Sequence, residues 1–490
     1  MEPRDLILSF DLGAGAMRGG VTGPDGASLA FAAEPSAAPP ETEADPEGWW
    51  RAARRIAEAL AAALKGDFER IGAVAVAGFT RTQVLLDADA NPVRPAIGFA
   101  DRAAAALAEE ARALAPPGAP EAARLDAFHP ALRLFRLART EPEALARARA
   151  VVEPKDFLNA RLTGRVATDA ISSARLLAAS AGGGGSILAA LGLDPGLAPP
   201  ALGPLDRLGP VRPGLPGAFA RLAGRPVIAM AHDSWAAALG LGALRAGYGY
   251  NLTGTTEVFG VFSGAPAEAE GLLSVDWGEG AKQLGGPSLS GGDTLLWALG
   301  LLAPGEGPEA AMARLLAAPR AAAPLLFLPY LRGERTPWWD ASLRGAWVGL
   351  DRTHGAGDLL RAALEGVAFL NRIVLDRAEA PTGARVSEIR FGGGGAASAD
   401  WARIKAAACG RPFVRAGGPE PGLLGGALAA MTALGRHPSL AAAQAAMVRE
   451  GARFEPEPEE RARMDRLLPH FLAAHRALAP LGAALAGEAS

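Results

Sequence analysis

The sequence predicts an α/β protein of two domains, and three observations carry that expectation. Short apolar or β-branched runs alternate with longer helical patterns along the chain, the rhythm of helices laid on sheets. The order strand, Gly-containing polar turn, strand opens the chain and recurs after Tyr248. Glycine-rich turns follow strands at Asp11, Gly254 and Gly392. A length of 490 residues allows two to three domains. The boundary is expected between Ala243 and Gly249, dividing 1–245 from 246–490.

In order, Leu6–Phe10 is an apolar strand leading into Asp11-Leu-Gly13, and Gly19–Thr22 and Ser28–Phe31 complete a meander around the turn Pro24-Asp-Gly26. Asp45-Pro46 starts a helix that runs through Trp49, Trp50 and Ile56 to Leu64. Ile71–Ala77 is a β-branched strand, followed by Gly78–Gln83 and the strand Val84–Leu86. Pro116–Arg149 is helical and broken by proline, and Lys155–Leu162 is a helix stopped at Thr163-Gly164. Gly182–Gly185 and the proline-rich Pro195–Pro216 are expected as surface loops. Val227–Ala231 is a strand that ends at Asp233, and a small-residue helix fills Ser234–Ala243. In the second half, Tyr248–Leu252 and Glu257–Phe262 are strands around Thr253-Gly-Thr-Thr256. Gly291–Thr294 opens a helix, Leu325–Leu328 is a strand, and Leu359–Asp376 is a strong amphipathic helix. Ile389–Phe391 feeds the glycine run at Gly392, a helix starts at Asp400, Leu423–Leu434 is a helix of small residues, and Arg461–Leu478 closes the chain.

Composition excludes several classes. Lys plus Arg is 49 against 52 for Asp plus Glu, a near balance that argues against an electrostatic nucleic-acid binder. No apolar run reaches the length of a membrane span, and the N-terminus lacks a signal-peptide pattern. The single cysteine, Cys409, rules out an internal disulfide and reads as a buried small hydrophobe. A cytoplasmic protein is expected. The chain has no Walker-type loop, no His-Glu-x-x-His, no cysteine pair and no Gly-x-Ser-x-Gly elbow.

What remains is chemistry at strand ends. A carboxylate before a helix N-terminus, as at Asp233, suits a base or a metal ligand, and equally an ordinary helix cap. Asp11 fits a turn residue or a carboxylate holding a metal near phosphates. The Gly-Thr-Thr turn at Gly254 offers N–H groups and hydroxyls to a phosphate. Three such turns in an α/β chain point to a nucleotide phosphate held by backbone N–H groups, with two carboxylates able to hold Mg²⁺ and accept a hydroxyl proton. Arg81 and Asp101-Arg102 flank strands, within reach of a small polar ligand or simply solvated.

Asp11-Leu-Gly13, Gly254-Thr255-Thr256, Gly333-Glu-Arg-Thr-Pro337, Arg361-Ala-Ala-Leu-Glu-Gly366 and Gly393-Gly-Gly-Ala396 with Ser398 and Trp401 stand in one order and spacing. In these motifs, from about residue 6 to residue 440, the chain resembles the FGGY carbohydrate kinases of the ribonuclease-H-like, actin and hexokinase superfamily. The resemblance implies two ribonuclease-H-like domains flanking a central cleft, a sugar-binding side with the first phosphate motif in 1–245 and an ATP-binding side in 246–490. It implies ATP and Mg²⁺ as cofactors and Asp233 as the base that accepts the sugar hydroxyl proton. Asp11 and Asp233 would serve the metal, and Asp11, Gly13, Arg18, Gly254, Thr255 and Thr256 the phosphates. Gly394 and Gly395 would wall the adenosine, and Arg81, Asp101, Arg102 and Asp233 would contact the sugar.

Departures from the family pattern are visible. Ala14, Gly15 and Ala16 stand where relatives carry a hydroxyl residue, Arg81 where xylulose kinases carry His, and Phe99 where many relatives carry Trp; an Asp usual near Ala407 is missing. Arg81 then pairs with Asp101 or another carboxylate, or it faces an acidic substrate. The expected activity is phosphorylation of a ketopentose such as xylulose. Kinases for another polyol or a sugar acid, of the glycerol, ribulose or gluconate type, and a sugar-sensing protein that has lost phosphotransfer are the alternatives. The partner is a small sugar or polyol, with no nucleic acid or membrane, and a homodimer stays open.

Overall fold

The computed structural model describes residues 4–36, 42–181, 185–383 and 385–488. They form two compact units, Met1–Gly240 with Gly422–Val448, and Leu241–Pro421 with Arg449–Ser490. The turn expected at Gly182–Gly185 lies, for residues 182–184, outside the described residues.

The first unit is built on β1 (Leu6–Leu12), β2 (Ala16–Thr22), β3 (Ser28–Pro35), β4 (Ile71–Gly78), β5 (Val84–Leu86), β6 (Ala150–Val152), β7 (Arg207–Pro210) and β8 (Pro226–Ile228). Its helices include α1 (Pro46–Leu64), α2 (Pro130–Thr140), α3 (Pro154–Thr163) and α4 (Asp233–Gly240). Six strands make one sheet in the order β7-β8-β4-β1-β2-β3, with β1, β4 and β8 parallel. β1 and β4 read as continuous apolar runs because both of their faces are buried. On α1 the Asp45 carboxylate accepts the Glu47 N–H at 3.0 Å, Pro46 takes the first turn, and Trp49, Ala53, Ile56 and Leu60 turn one stripe inward.

Pro195–Pro216 departs from the expected plain loop. It contains the strand β7, which occupies the sheet edge, where Pro210 costs no ladder bond that a neighbour needs. β5 and β6 pair in a small separate ribbon, Val84 opposite Val152, so that Gln83 and Glu153 emerge side by side.

The second unit contains β9 (Tyr248–Thr253), β10 (Glu257–Ser263), β11 (Leu273–Asp276), β12 (Lys282–Ser288), α5 (Gly292–Leu302), α6 (Ala356–Thr382), β13 (Glu388–Gly392), α7 (Ala399–Cys409), β14 (Phe413–Ala416), β15 (Glu450–Phe454) and α9 (Pro458–Glu488), and between β14 and β15 the chain passes through α8 (Pro421–Ala433). Its sheet runs β11-β12-β10-β9-β13-β14-β15, with β9, β13 and β14 parallel. From Gly422 onward, α8 folds with the first unit, and its glycines explain the close fit. A Cβ at Gly425 would stand 1.8 Å from the Ala236 carbonyl oxygen, and one at Gly426 would stand 2.7 Å from Ser9 Oγ. Among the described residues no helix is long and apolar enough to cross a membrane.

Candidate active site

The parallel strands of the first sheet send three segments out of one edge. Asp11 is level with Ala77, and Ile228 is level with Ala75, so Asp11, the Gly78–Gln83 loop and the segment up to Asp233 leave the sheet at its carboxyl ends. That edge is where open α/β sheets bind ligands. Asp233 is the first residue of α4, with its side chain 35% exposed. Its Oδ1 accepts the Ser234 N–H at 2.6 Å and the Ser234 hydroxyl at 3.1 Å. Beside it, His232 Nδ1 accepts the Trp235 N–H at 3.2 Å, which leaves the ring proton on Nε2. Burial holds the His232 imidazole below its ordinary pKa, more strongly than the Asp233 and Asp169 charges raise it, while Lys155 and Arg81 push the same way as burial. The imidazole is therefore neutral at pH 7, and Arg81 lies within electrostatic reach of it.

Asp11 is half-buried and sits opposite Arg18 across the β1–β2 hairpin. Gly13 closes the hairpin turn, its N–H donating to the Ala16 carbonyl at 3.0 Å. A Cβ there would stand 3.3 Å from Arg18 Nη1, so the guanidinium lies over the glycine. The Asp11 carboxylate also faces the start of α8, where a Cβ at Gly422 would come within 2.6 Å of Oδ2. Sequence reasoning brought Asp11, Gly13 and Arg18 together, and the structure places them on one hairpin.

The loops carrying Arg81 and Asp101-Arg102 meet at a residue that sequence reasoning missed. Arg133 of α2 is fully buried. Its Nη1 donates to the Arg81 carbonyl at 2.7 Å and to Gln83 Oε1 at 2.6 Å, and its Nη2 donates to the carbonyls of Gly98 and Asp101, each at 2.9 Å. Burial pulls its pKa down to about 10, which still leaves it charged at pH 7. Arg81 adopts φ +63° and Met230, just before His232, φ +42°; both are left-handed backbone that a side chain disfavours. The Asp101 carboxylate accepts the Ala103 N–H at 2.9 Å and lies 4.0 Å from Arg136. Arg102 lies over the Phe128 ring at 5.4 Å. Arg81, Phe128, Glu153, Ser173 and Arg175 share the lining of a small cavity of about 40 Å³.

Behind the cavity lies a buried charge network. Lys155 Nζ is 2.5 Å from Asp156 Oδ1 and 2.8 Å from Asp169 Oδ2, and Thr168 donates to Asp156 Oδ2 at 2.7 Å. Burial alone would lower the Lys155 pKa, but Asp156 and Asp169 together raise it. Glu153 stands on the other side of the balance. Burial, with Asp156 and Asp169 adding, pushes its carboxyl up to about 8, against the Thr82 N–H at 3.3 Å and Lys155.

The second unit builds its edge from backbone. Leu252 is level with Gly392, so the turns after β9 and β13 leave together. A Cβ at Gly393 would stand 2.5 Å from the Thr253 carbonyl oxygen, and one at Gly395 2.3 Å from Thr253 Cγ2. Gly292, at the start of α5, donates its N–H to the Gly254 carbonyl at 2.9 Å, and Asp293 N–H donates to Thr255 O at 3.0 Å. The Gly254 amide itself is engaged with the Thr256 carbonyl at 2.9 Å. Gly254, Thr255 and Gly394 are exposed, and a Cβ at Gly394 would meet nothing within 4 Å.

Beneath these turns a second lysine is buried. Lys405 of α7 pairs with Glu257, donates to Asn251 Oδ1 at 2.8 Å and to Thr253 Oγ1 at 3.0 Å, and lies over the Trp401 ring at 4.2 Å. Asn371 donates to the other Glu257 oxygen at 2.9 Å. Burial lowers the Lys405 pKa, and Glu257 opposes it only in part. Glu334 of the Gly333–Pro337 segment is likewise inward, accepting from Ser290 at 2.7 Å and Ser288 at 3.0 Å. Cys409 is buried, and burial pushes its thiol up to about 12, which leaves it unreactive. Among the described residues no group of three or more His, Cys, Asp or Glu is placed to hold a metal ion by itself. A cation here would rest on one or two carboxylates with phosphate and water, the manner in which Mg²⁺ is commonly held.

The profile of the N-terminal domain of the FGGY family of carbohydrate kinases matches residues 6–240, and that of its C-terminal domain matches residues 249–434. A xylulose kinase of Escherichia coli is 31% identical over 416 residues, covering 81% of this chain and 83% of the relative. The crystal structure of a xyloylose kinase from Brucella ovis is 27% identical, with a TM-score of 0.84 over 97% of this chain and 100% of that one. A gluconate kinase from Lactobacillus acidophilus shares the fold at 23% identity, with a TM-score of 0.84 over 97% of this chain and 98% of that one.

Proposed function

This chain belongs to the FGGY family of carbohydrate kinases, and we propose that it transfers the γ-phosphoryl group of ATP to a hydroxyl of a ketopentose such as xylulose. The carrying observation is the half-exposed Asp233 carboxylate at the carboxyl edge of the first sheet, beside an imidazole kept neutral. Ser234 holds one Asp233 oxygen, and the exposed side of the carboxylate accepts the proton of the attacking hydroxyl as the oxygen bonds to phosphorus. In this reading residues 1–245 carry the sugar side and 246–490 the ATP side. Thr255 and the turn Gly393–Gly395 hold the nucleotide, and the sites where a Cβ would strike Thr253 keep that turn close-packed. Asp11 and Asp233 would hold Mg²⁺, which when bound neutralises phosphate charge; Arg18 supplies fixed positive charge on the same hairpin as Asp11.

The 31% identity to a xylulose kinase across most of both chains supports the ketopentose. One observation favours a sugar acid instead: Arg81, at the edge of the cavity and within electrostatic reach of His232, presents a planar cation that suits a carboxylate. A coupled ADP-release assay over pentuloses, hexuloses, polyols and aldonates tests both. Xylulose as the substrate of highest kcat/KM is the expected result. An aldonate in that place moves the assignment to a sugar acid, and no ATP turnover with any of them ends the kinase reading.

A further inference from the structure

We propose that Arg133 is the positioning residue of the substrate loops: its one buried guanidinium ties Gly78–Gln83 to Gly98–Arg102 and holds Arg81 in its left-handed conformation. The proposal rests on reading those loops as the sugar side. α2 is buried around most of its surface at this point, with Leu132, Leu134 and Leu137 inward beside Arg133. What an apolar side chain lacks is the planar fork of donors, and here the fork is used on the carbonyls of Arg81, Gly98 and Asp101 and the amide oxygen of Gln83. These hydrogen bonds cross 32 to 52 residues of sequence. None of them ends on a carboxylate, so the charge is solvated by the dipoles of the loops it orders.

The conformation of Arg81 makes the tie necessary. At φ +63° its carbonyl turns away from the path an ordinary residue would give it, and that carbonyl accepts from Arg133 at 2.7 Å. Without the donor, that carbonyl loses its partner and the strain has nothing to offset it. Arg81 then relaxes toward negative φ, and its side chain leaves the cavity it shares with Glu153. A lysine cannot substitute, because a compact ammonium on one stem does not span carbonyls on two loops.

The test compares wild type with Arg133→Lys, which keeps a charge at the site, and Arg133→Met as a second variant. Hydrogen exchange is measured on peptides covering 78–83, 98–102, 6–12 and 254–256. Exchange is expected to rise ~10-fold or more in 78–83 and 98–102 and to stay near wild type in 6–12 and 254–256. In steady-state kinetics kcat/KM for the sugar should fall ~10-fold or more while the KM for ATP moves less than about twofold. Unchanged exchange in the two loops, or equal loosening of 6–12, overturns the proposal and makes Arg133 an ordinary core residue. If the wild type phosphorylates no sugar, the kinase reading fails by itself, and the exchange pattern still decides the role of Arg133.

Discussion

The two sheets present their carboxyl edges in different materials. The first offers side chains: Asp11, Arg18, Arg81 and Asp233, two of them beside strained backbone. The second offers backbone, with glycines at 292, 393 and 395 pressed so closely that a Cβ there would stand within 2.5 Å of a neighbour. Under each edge lies a fully buried lysine, and the two respond in opposite directions. Lys155 touches two carboxylates and its pKa rises; Lys405 touches one and its pKa falls. The same desolvation acts on both, so the number of carboxylate partners decides the sign. In the first unit the excess acid goes to Glu153, which holds a proton at neutral pH.

The strongest break of this comparison is removal of each lysine. Lys155→Met strands Asp156 and Asp169 together, and its cost should lie at or above the top of the ~3–5 kcal/mol seen when one partner of a buried pair is lost. Lys405→Met strands only Glu257 and should fall within that range. Adding Glu257→Gln should return most of the second loss, because the neutral amide can accept from Asn371 with its oxygen and donate its NH₂ to the Thr253 hydroxyl. Thermal and urea unfolding of the three variants measures this. A Lys405→Met variant costing more than Lys155→Met would reverse the ordering and refute the carboxylate count.

Activity separates the edges next. Asp233→Asn keeps the shape and the Ser234 contact but accepts no proton, so kcat should drop by ~10²- to 10⁴-fold with the fold intact. Near wild-type turnover would remove Asp233 from the role of base. On the backbone-built edge, Gly393→Ala meets the Thr253 carbonyl and a φ of +91°, and should destabilise the second unit by about 2–3 kcal/mol. Gly394→Ala meets nothing within 4 Å, so stability should change by less than about 0.5 kcal/mol. A raised KM for ATP in that variant alone marks Gly394 as nucleotide contact; an unchanged KM excludes it.

Much of this was legible in the sequence, and the part that was not has a physical reason. Local periodicity and turn chemistry mark Leu6–Leu12, Ile71–Gly78, Tyr248–Thr253 and the glycine turn at Gly393, because those signals act between near neighbours in sequence. The hairpin of Asp11, Gly13 and Arg18 follows from them. The edge strand Arg207–Pro210 and the strand Lys282–Ser288, with Gly285, Gly286 and Pro287, carry loop composition and owe their extension to the sheet beside them. Arg133 and Lys405 were invisible for a related reason: a charged residue on a helix reads as solvated until its partners, far along the chain, are known. The one available signal was Arg133 standing between Leu132 and Leu134, in the first turns of a helix where Pro130 to Phe135 are all buried.

The pH dependence of stability shows most directly how the first unit stores its excess acid. A carboxyl whose folded pKa is raised, from 4.5 to about 8 for Glu153, binds a proton in the folded state that the unfolded chain releases. Its stabilising contribution is complete below the unfolded value and is lost as pH rises through the folded one. Stability of the surrounding segment should therefore fall by about 1 kcal/mol between pH 6 and pH 7, inside that window. Lys405, with its pKa lowered, has the opposite slope: its contribution is lost as pH falls from the ordinary lysine range through its folded value. Exchange protection of the amides in 154–163, next to Glu153, reads the first slope locally. Glu153→Gln is neutral at every pH and keeps an oxygen for the Thr82 N–H, so it should match wild type near pH 5 and lose the slope above it. A slope that survives in Glu153→Gln would place the excess proton on another group, with Asp156, whose pKa burial also raises, as the next to replace.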